Sequence, residues 1–387
     1  MKILFNNLSL YGNYANYQKP KKQVHNESEN IYLTLSCDKI NISAVPFCAK
    51  PDSTMLLSQS DKLLCAYSRK PMLSPYTLRS IFAKLAKKTN AQSAINFLKE
   101  FRDYMPPVET EIFDMFEESG ASGKKTFQDI LIEKRPESLT NLRQKQSDIL
   151  HGTDDYILSL PLDNPLAEDL LYIRDVALLK VNDGTFRRSE VLEQLENLCQ
   201  HYTDADKNCQ SNQKMLKQNE QQIKEVYKQW YKLPRSYMDY DAFIVKYSKC
   251  SHNDIAQRLL SMSVASVEHI KPYADGGKDI LWNYVLIQTL YNQDKGDMNL
   301  TEYDELNPDI EIKKNLSKYI DDVCAEIKRG NPYFEANHLY PEQLRNNIVL
   351  ETGWHSLPAI AVSQLGSRNR QIPNSKKGSN RYRINHK

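Results

Sequence analysis

At 387 residues, with 26% charged and 40% apolar residues, 23 tyrosines and a mean hydropathy of −0.62, the chain is too long for one compact core and has a globular rather than a disordered composition. No apolar run reaches the roughly 18–20 residues that a membrane span requires. The start, MKILFNNLSLYGNY, is interrupted by Asn6 and Asn7 and shows no cleavage signal, and the seven cysteines never fall at a C-x-x-C spacing. These features argue against membrane and disulfide-stapled classes, so a reducing cytoplasm is the expected compartment.

Residues 1–60 mix short β-like runs (KILF, IYLTLS, NISAVPF) with a Lys-rich turn at Pro20 and read as a small α+β region. A helix is expected after Ser74, a good N-cap, with Pro75 at its first position. Leu78, Ile81, Phe82 and Leu85 form its apolar face, and Arg79, Lys84, Lys87 and Lys88 spread over the rest, as on a solvated helix. From about 92 to 260 the three- and four-residue apolar spacing predicts helix after helix, including a polar, Gln-rich one with Met215, Ile223, Val226 and Trp230 on its buried side. Adjacent carboxylates in this stretch, such as Glu117 with Glu118 and Asp154 with Asp155, do not face each other on a helix and make poor acid/base pairs. There is no P-loop, G-x-S-x-G or H-E-x-x-H. Any nucleotide-driven step would therefore need a separate ATPase or sensor protein.

Ser251 and Asp254 stand at capping-box spacing before another helix. SVASVEHI then alternates like a strand, PYADGGKD carries turn chemistry, and NYVLIQTLYNQDK supplies a second short strand and a helix. Glu268 directly precedes His269, with Asn283 and Asn292 further on. A histidine can act as a base near neutral pH, while a carboxylate and an amide oxygen are hard ligands suited to Mg2+ or Mn2+. Adjacent strand residues point to opposite faces, so convergence of Glu268 and His269 on one phosphate would call for a twisted or bulged strand. The bland reading is a buried hairpin with a hydrogen-bonded histidine. His252, His338 and His355 have no such neighbours and read as structural or surface residues.

The last 21 residues contain Arg368, Arg370, Lys376, Lys377, Arg381, Arg383 and Lys387 and no acid. Without them acidic residues outnumber basic ones, 49 to 44, so the tail holds the excess behind the formal charge of +2. Such a segment serves either as a phosphate-backbone contact or as a solubilising end.

Glu268-His269-Ile270, Pro272, Gly276-Gly277, Asn283 at plus 14 from the histidine, Asn292 at plus 23 and Lys295 at plus 26 together resemble the ββα-metal core of the HNH nucleases, in its H-N-N variant. The resemblance implies His269 as general base, Glu268 and Asn292 as ligands of one divalent cation (Mg2+ or Mn2+), Asn283 orienting the histidine, and Lys295 on phosphate or supporting the site. Glu268 departs from the more frequent Asp by one methylene. The stretch Leu64 to Leu73, LCAYSRKPML, resembles the C-x-x-C-G segment that leads into many members. In zinc-ribbon members two C-x-x-C pairs flank the catalytic segment. The corresponding places here hold Cys65, Ser68, Gln288 and Tyr291, so no structural Zn2+ is implied.

The expected fold is therefore α+β and mostly α-helical, a small ββα-metal core carrying a large helical insertion. It divides into an N-terminal α+β region (1–60), a discontinuous core (61–75 with 255–300), a helical insertion (76–254), a C-terminal helical region (301–366) and the basic tail (367–387). The competing reading leaves Leu64 to Leu73 as an unrelated turn. The expected function is metal-dependent hydrolysis of phosphodiester bonds in DNA, with Lys271, Lys278 and the tail cations contacting the strand. Anti-phage defence is the role suggested by analogy. A non-cleaving nucleic-acid-binding or scaffold protein of the same fold, or an RNA-cleaving toxin, are the alternatives.

Overall fold

The computed structural model describes residues 56–57, 60, 62–119, 124–161, 165–204 and 213–357. The expected N-terminal strands and the basic tail, with Arg368, Arg370, Lys376, Lys377, Arg381 and Arg383, lie outside the described residues. Within them the protein is mostly helical, with one two-stranded sheet. No described helix is long and apolar enough to cross a membrane.

Several helices start where the sequence supplies side-chain acceptors for the orphan N–H groups of a first turn. Ser74 caps α1 (Pro75–Leu85) by accepting from Thr77 N at 3.0 Å. Asn90 caps α2 (Ala91–Leu98), and α3 is Pro107–Ser119. A reciprocal capping box between Thr126 and Asp129 opens α4 (Phe127–His151). Then follow α5 (Asp154–Leu158), α6 (Pro165–Asp183), α7 (Arg188–Asp204), α8 (Gln213–Tyr231) and α9 (Tyr240–Tyr247). A second capping box, Ser251 with Asp254, starts α10 (His252–Ser261).

Three apolar clusters organise these elements. The first helices, the start of α4, α9 and α10 enclose one around Phe113, Phe116 and Phe127. The end of α4 and α5–α8 enclose another around Trp230. Helix α4, 25 residues and thus about 37 Å long, runs from one to the other. Ile223, Val226 and Trp230 are buried on α8 as their spacing predicts, whereas Met215, in the first turn, is half exposed.

The third cluster contains the sheet. Strands β1 (Ala265–His269) and β2 (Tyr284–Gln288) pair antiparallel, with Ala265 opposite Gln288 and His269 opposite Tyr284. Helix α11 (Thr289–Lys295) follows β2 without a break. Helices α12 (Leu300–Leu306), α13 (Ile312–Lys328), α14 (Pro332–Ala336) and α15 (Tyr340–Thr352) join the same core, which therefore continues across residue 300. Residues 63–72 belong to it too. Ala66 N donates to Leu286 O at 2.9 Å, and Leu73 forms a parallel bridge with Val264. Leu73 N donates to Ser263 O at 3.0 Å, so the long helical stretch leaves the sheet and returns to it at adjacent points.

Candidate functional site

Strand β1 keeps regular register through its last two residues, Glu268 opposite Val285 and His269 opposite Tyr284, so their side chains alternate between faces. On Glu268's face lies α11. Lys295 Nζ, fully buried, sits 2.7 Å from Glu268 Oε1 and 3.5 Å from the His269 carbonyl. Three residues earlier on the same helix face, Asn292 Nδ2 donates to Ser266 Oγ, two residues before Glu268 on the strand. The helix thus crosses β1 with two polar rungs. Asn292 Oδ1 has no hydrogen-bond partner among the described residues.

His269 is held differently. Its ring lies 4.7 Å from that of Tyr284, and Nε2 is 3.0 Å from Asp279 Oδ1. The Tyr284 hydroxyl donates to the same carboxylate oxygen. Burial, helped by that bond and by the Asp279 charge, pushes the Tyr284 hydroxyl far above the usual tyrosine range, so it stays a donor. Nδ1 of His269 has no partner among the described residues. One ring nitrogen is thereby oriented by a carboxylate.

The Asn283 side-chain amide ties the β1–β2 connection together. Asn283 Oδ1 accepts from Lys271 N at 2.9 Å, and its Nδ2 reaches the Lys271 and Lys278 carbonyls at 3.1 and 3.0 Å. Asn347 Nδ2 on α15 donates to Asn283 Oδ1 at 3.0 Å, and Glu351 pairs with Lys271 at 3.3 Å. The glycine pair has two distinct jobs. Gly276 takes φ +81°, and a Cβ on Gly277 would stand 2.0 Å from the Lys271 carbonyl oxygen. Lys278, Tyr273 and, in part, Trp282 are exposed on this connection.

Behind the sheet Cys65, Ser68, Gln288 and Tyr291 meet. Gln288 N donates to Cys65 Sγ at 3.3 Å, and Ser68 Oγ donates to Gln288 Oε1 at 3.3 Å. Ser68 is also within hydrogen-bonding reach of the Cys65 thiol and the Tyr291 hydroxyl. Gln288 Nε2 donates to the Tyr104 carbonyl at 2.9 Å and the Pro71 carbonyl at 3.2 Å. Burial raises both the Cys65 thiol and the Tyr291 hydroxyl, so the group is a set of neutral hydrogen bonds. Its turn is tight: Arg69 N donates to Cys65 O, and Arg69 adopts φ 60°.

Of the residues singled out in the sequence, Glu268, Asn292 and Lys295 gather on the α11 side of β1. His269 ends the same strand, and Asn283 closes the connection between Lys271 and Lys278. Asp279, Tyr284, Ser266 and Asn347 were not singled out. Asp279 and Tyr284 flank Asn283 closely in sequence, but only the strand register reveals that both serve His269. No group of three or more His, Cys, Asp or Glu side chains able to hold a metal occurs among the described residues. Comparison of the chain with protein-family models, curated proteins and solved structures gives no match.

Proposed function

We propose that β1, the connection to β2, and α11 form the catalytic centre of an HNH-type endonuclease that hydrolyses phosphodiester bonds in DNA with the help of a divalent cation. The observation that carries this reading is the ordered unit itself: Glu268 and His269 end one strand, Asn283 closes the loop, and Asn292 and Lys295 face the first strand from the helix. The meeting of Cys65, Ser68, Gln288 and Tyr291 adds support, since these are the places where zinc-ribbon members of that family carry cysteines.

The donor set fits a hydrated hard cation. Glu268 offers carboxylate oxygen and Asn292 an amide oxygen on one side of the sheet, and Mg2+ or Mn2+ characteristically takes few protein ligands and keeps water and phosphate for the rest. A cation there supplies charge stabilisation at the phosphate and the leaving oxygen. The chain's own residues do the remaining work. His269 takes a proton from water through Nδ1, while Asp279 keeps the ring oriented. Asn283 holds the connection so that His269 and the Lys271 and Lys278 cations keep their places. Because β1 is regular, Glu268 and His269 lie on opposite faces of the strand, without the twist or bulge that convergence on one phosphate calls for. The basic tail adds non-specific affinity for the strand.

One observation favours a second reading. Glu268 is buried and neutralised by Lys295, as in a fold that binds nucleic acid without cutting it. One assay separates the two. With Mg2+ or Mn2+, purified protein should nick supercoiled plasmid and the His269→Ala variant should not; equal rates for both would end the nuclease reading. Linear DNA, single strands and RNA in parallel assign the substrate.

A further inference from the structure

Adjacent residues on α11 are buried in opposite directions. Lys295 faces β1, whereas Asp294, whose side chain is fully buried, faces the helical stretch. Arg235 Nη1 pairs with Asp294 Oδ1, the Tyr303 hydroxyl donates to Oδ2 at 3.1 Å, and the Tyr237 hydroxyl is 3.4 Å from Oδ1. The Tyr231 hydroxyl donates to the Asp294 backbone carbonyl at 3.1 Å. Four side chains from α8, from the connection after it and from α12 thus converge on one residue.

The network extends further. The Arg235 guanidinium lies 4.6 Å from the centre of the Tyr231 ring and 5.8 Å from that of Tyr237. Arg188, at the start of α7, lies 4.4 Å from the Tyr231 ring and donates to the Tyr231 carbonyl at 2.9 and 3.2 Å. A continuous chain of cation–π and charge-assisted contacts therefore runs from α7 through the end of α8 to α11.

We propose that Asp294 is a positioning residue for Asn292 and Lys295: clamped by Arg235, Tyr231, Tyr237 and Tyr303, it fixes the rotation and height of α11, so that the stretch from Arg188 to Tyr237 sets where the site's helix side chains stand. A seven-residue helix cannot hold itself in place. Neighbouring helix residues are about 100° apart, so turning α11 would take Asp294 and Lys295 away from their opposite charges together. A buried carboxylate is a poor source of plain stability, because apolar packing of the same volume does as well or better. Its directional bonds admit only one orientation of the helix.

The consequence for cleavage rests on the function proposed above; the consequence for α11 does not. The test uses full-length Asp294→Asn, which keeps size and one acceptor for Tyr303 but turns a donor toward Arg235, and Arg235→Lys, which keeps charge but loses the planar stack. Hydrogen exchange of amides 289–296 should speed up by about tenfold or more while β1 and β2 stay within about twofold of the wild type. The Mn2+ concentration giving half-maximal nicking should rise by about tenfold, as when a ligand's supporting contact is lost. Unchanged exchange in α11, or a uniform increase over every element, would overturn the proposal. Should both variants fail to fold, Arg188→Lys, two contacts away, is measured in the same way, and the same two outcomes support or overturn the role of Asp294. If the wild type cuts nothing, the exchange result still decides that role, and only the nuclease reading falls.

Discussion

His252 and His269 sit in surroundings that look alike. Each ring lies against an aromatic neighbour, Phe127 at 4.8 Å and Tyr284 at 4.7 Å, and each has one nitrogen 3.0 Å from a partner. The partners differ in kind. His252 Nδ1 accepts from the backbone N–H of Phe127, an orphan donor at the start of α4, and can do so only when that nitrogen carries no proton. Burial accordingly lowers the His252 pKa, with only partial opposition from the Lys88 backbone and Asp129. His269 instead meets a carboxylate, which tolerates a proton on the ring, and keeps a second nitrogen open. Two half-buried histidines thus differ in setting, one facing a donor and the other an acceptor.

The largest effect expected from this contrast is on cleavage. His269→Ala should lower the nicking rate by about 10²–10⁴-fold, the usual contribution of a general base. His252→Ala should leave the rate within about twofold but lower unfolding free energy by roughly 1–3 kcal/mol in urea titrations, through the unpaired Phe127 N–H and lost ring packing. Similar rate losses in both variants would erase the distinction. Next in size is Asp279→Ala. Freeing the ring from its carboxylate should cost about 10²-fold in rate at unchanged stability, the scale of a misplaced catalytic group. A rate within twofold of wild type would mean that Asp279 does not hold His269 for chemistry.

A smaller effect separates the scaffolds beneath the two rings. His252 stands at the first position of a capped helix, whereas His269 adjoins a connection closed by Asn283. Asn283→Ala leaves Lys271 N and the Lys271 and Lys278 carbonyls without that partner. Rate should fall about tenfold as the His269 end of β1 loosens, and the Lys271 amide should lose its exchange protection. A protected Lys271 amide in the variant would assign the loop's order to Asn347 and Glu351 instead.

What could be read from the sequence follows the range of each interaction. The caps at Ser74 and Ser251 were legible because donor and acceptor lie three residues apart. The strand, turn, strand and helix between 265 and 295 were legible because alternation and glycine placement are local signals. The largely helical character followed from apolar spacing, although Met215 showed that periodicity does not say where a helix's cover ends. Partners set by tertiary register were not legible. Nothing local in Asp294 indicates Arg235, 59 residues earlier, and nothing in Ser266 indicates Asn292, 26 residues later. Asp279 was hidden for a related reason: two residues after the glycine pair it reads as turn chemistry, and only strand pairing brings it to His269.

The smallest expected effect is on stability against pH, and it tests the His252 half of the contrast alone. The folded-state pKa of His252 lies below the unfolded value of about 6.5, so protons bind the unfolded chain more readily. The stability contributed by the neutral ring is therefore complete above pH ~6.5 and is lost as pH falls through the folded pKa. Urea midpoints taken between about pH 7.5 and pH 5 should decline more steeply for wild type than for His252→Gln, whose amide accepts from Phe127 N at any pH. His269→Gln serves as the control. The His269 ring faces a carboxylate acceptor and not a backbone N–H. If the wild-type slope survives in His252→Gln, the ring at the start of α4 is not obligatorily neutral, and the difference drawn between the two histidines fails at its structural end.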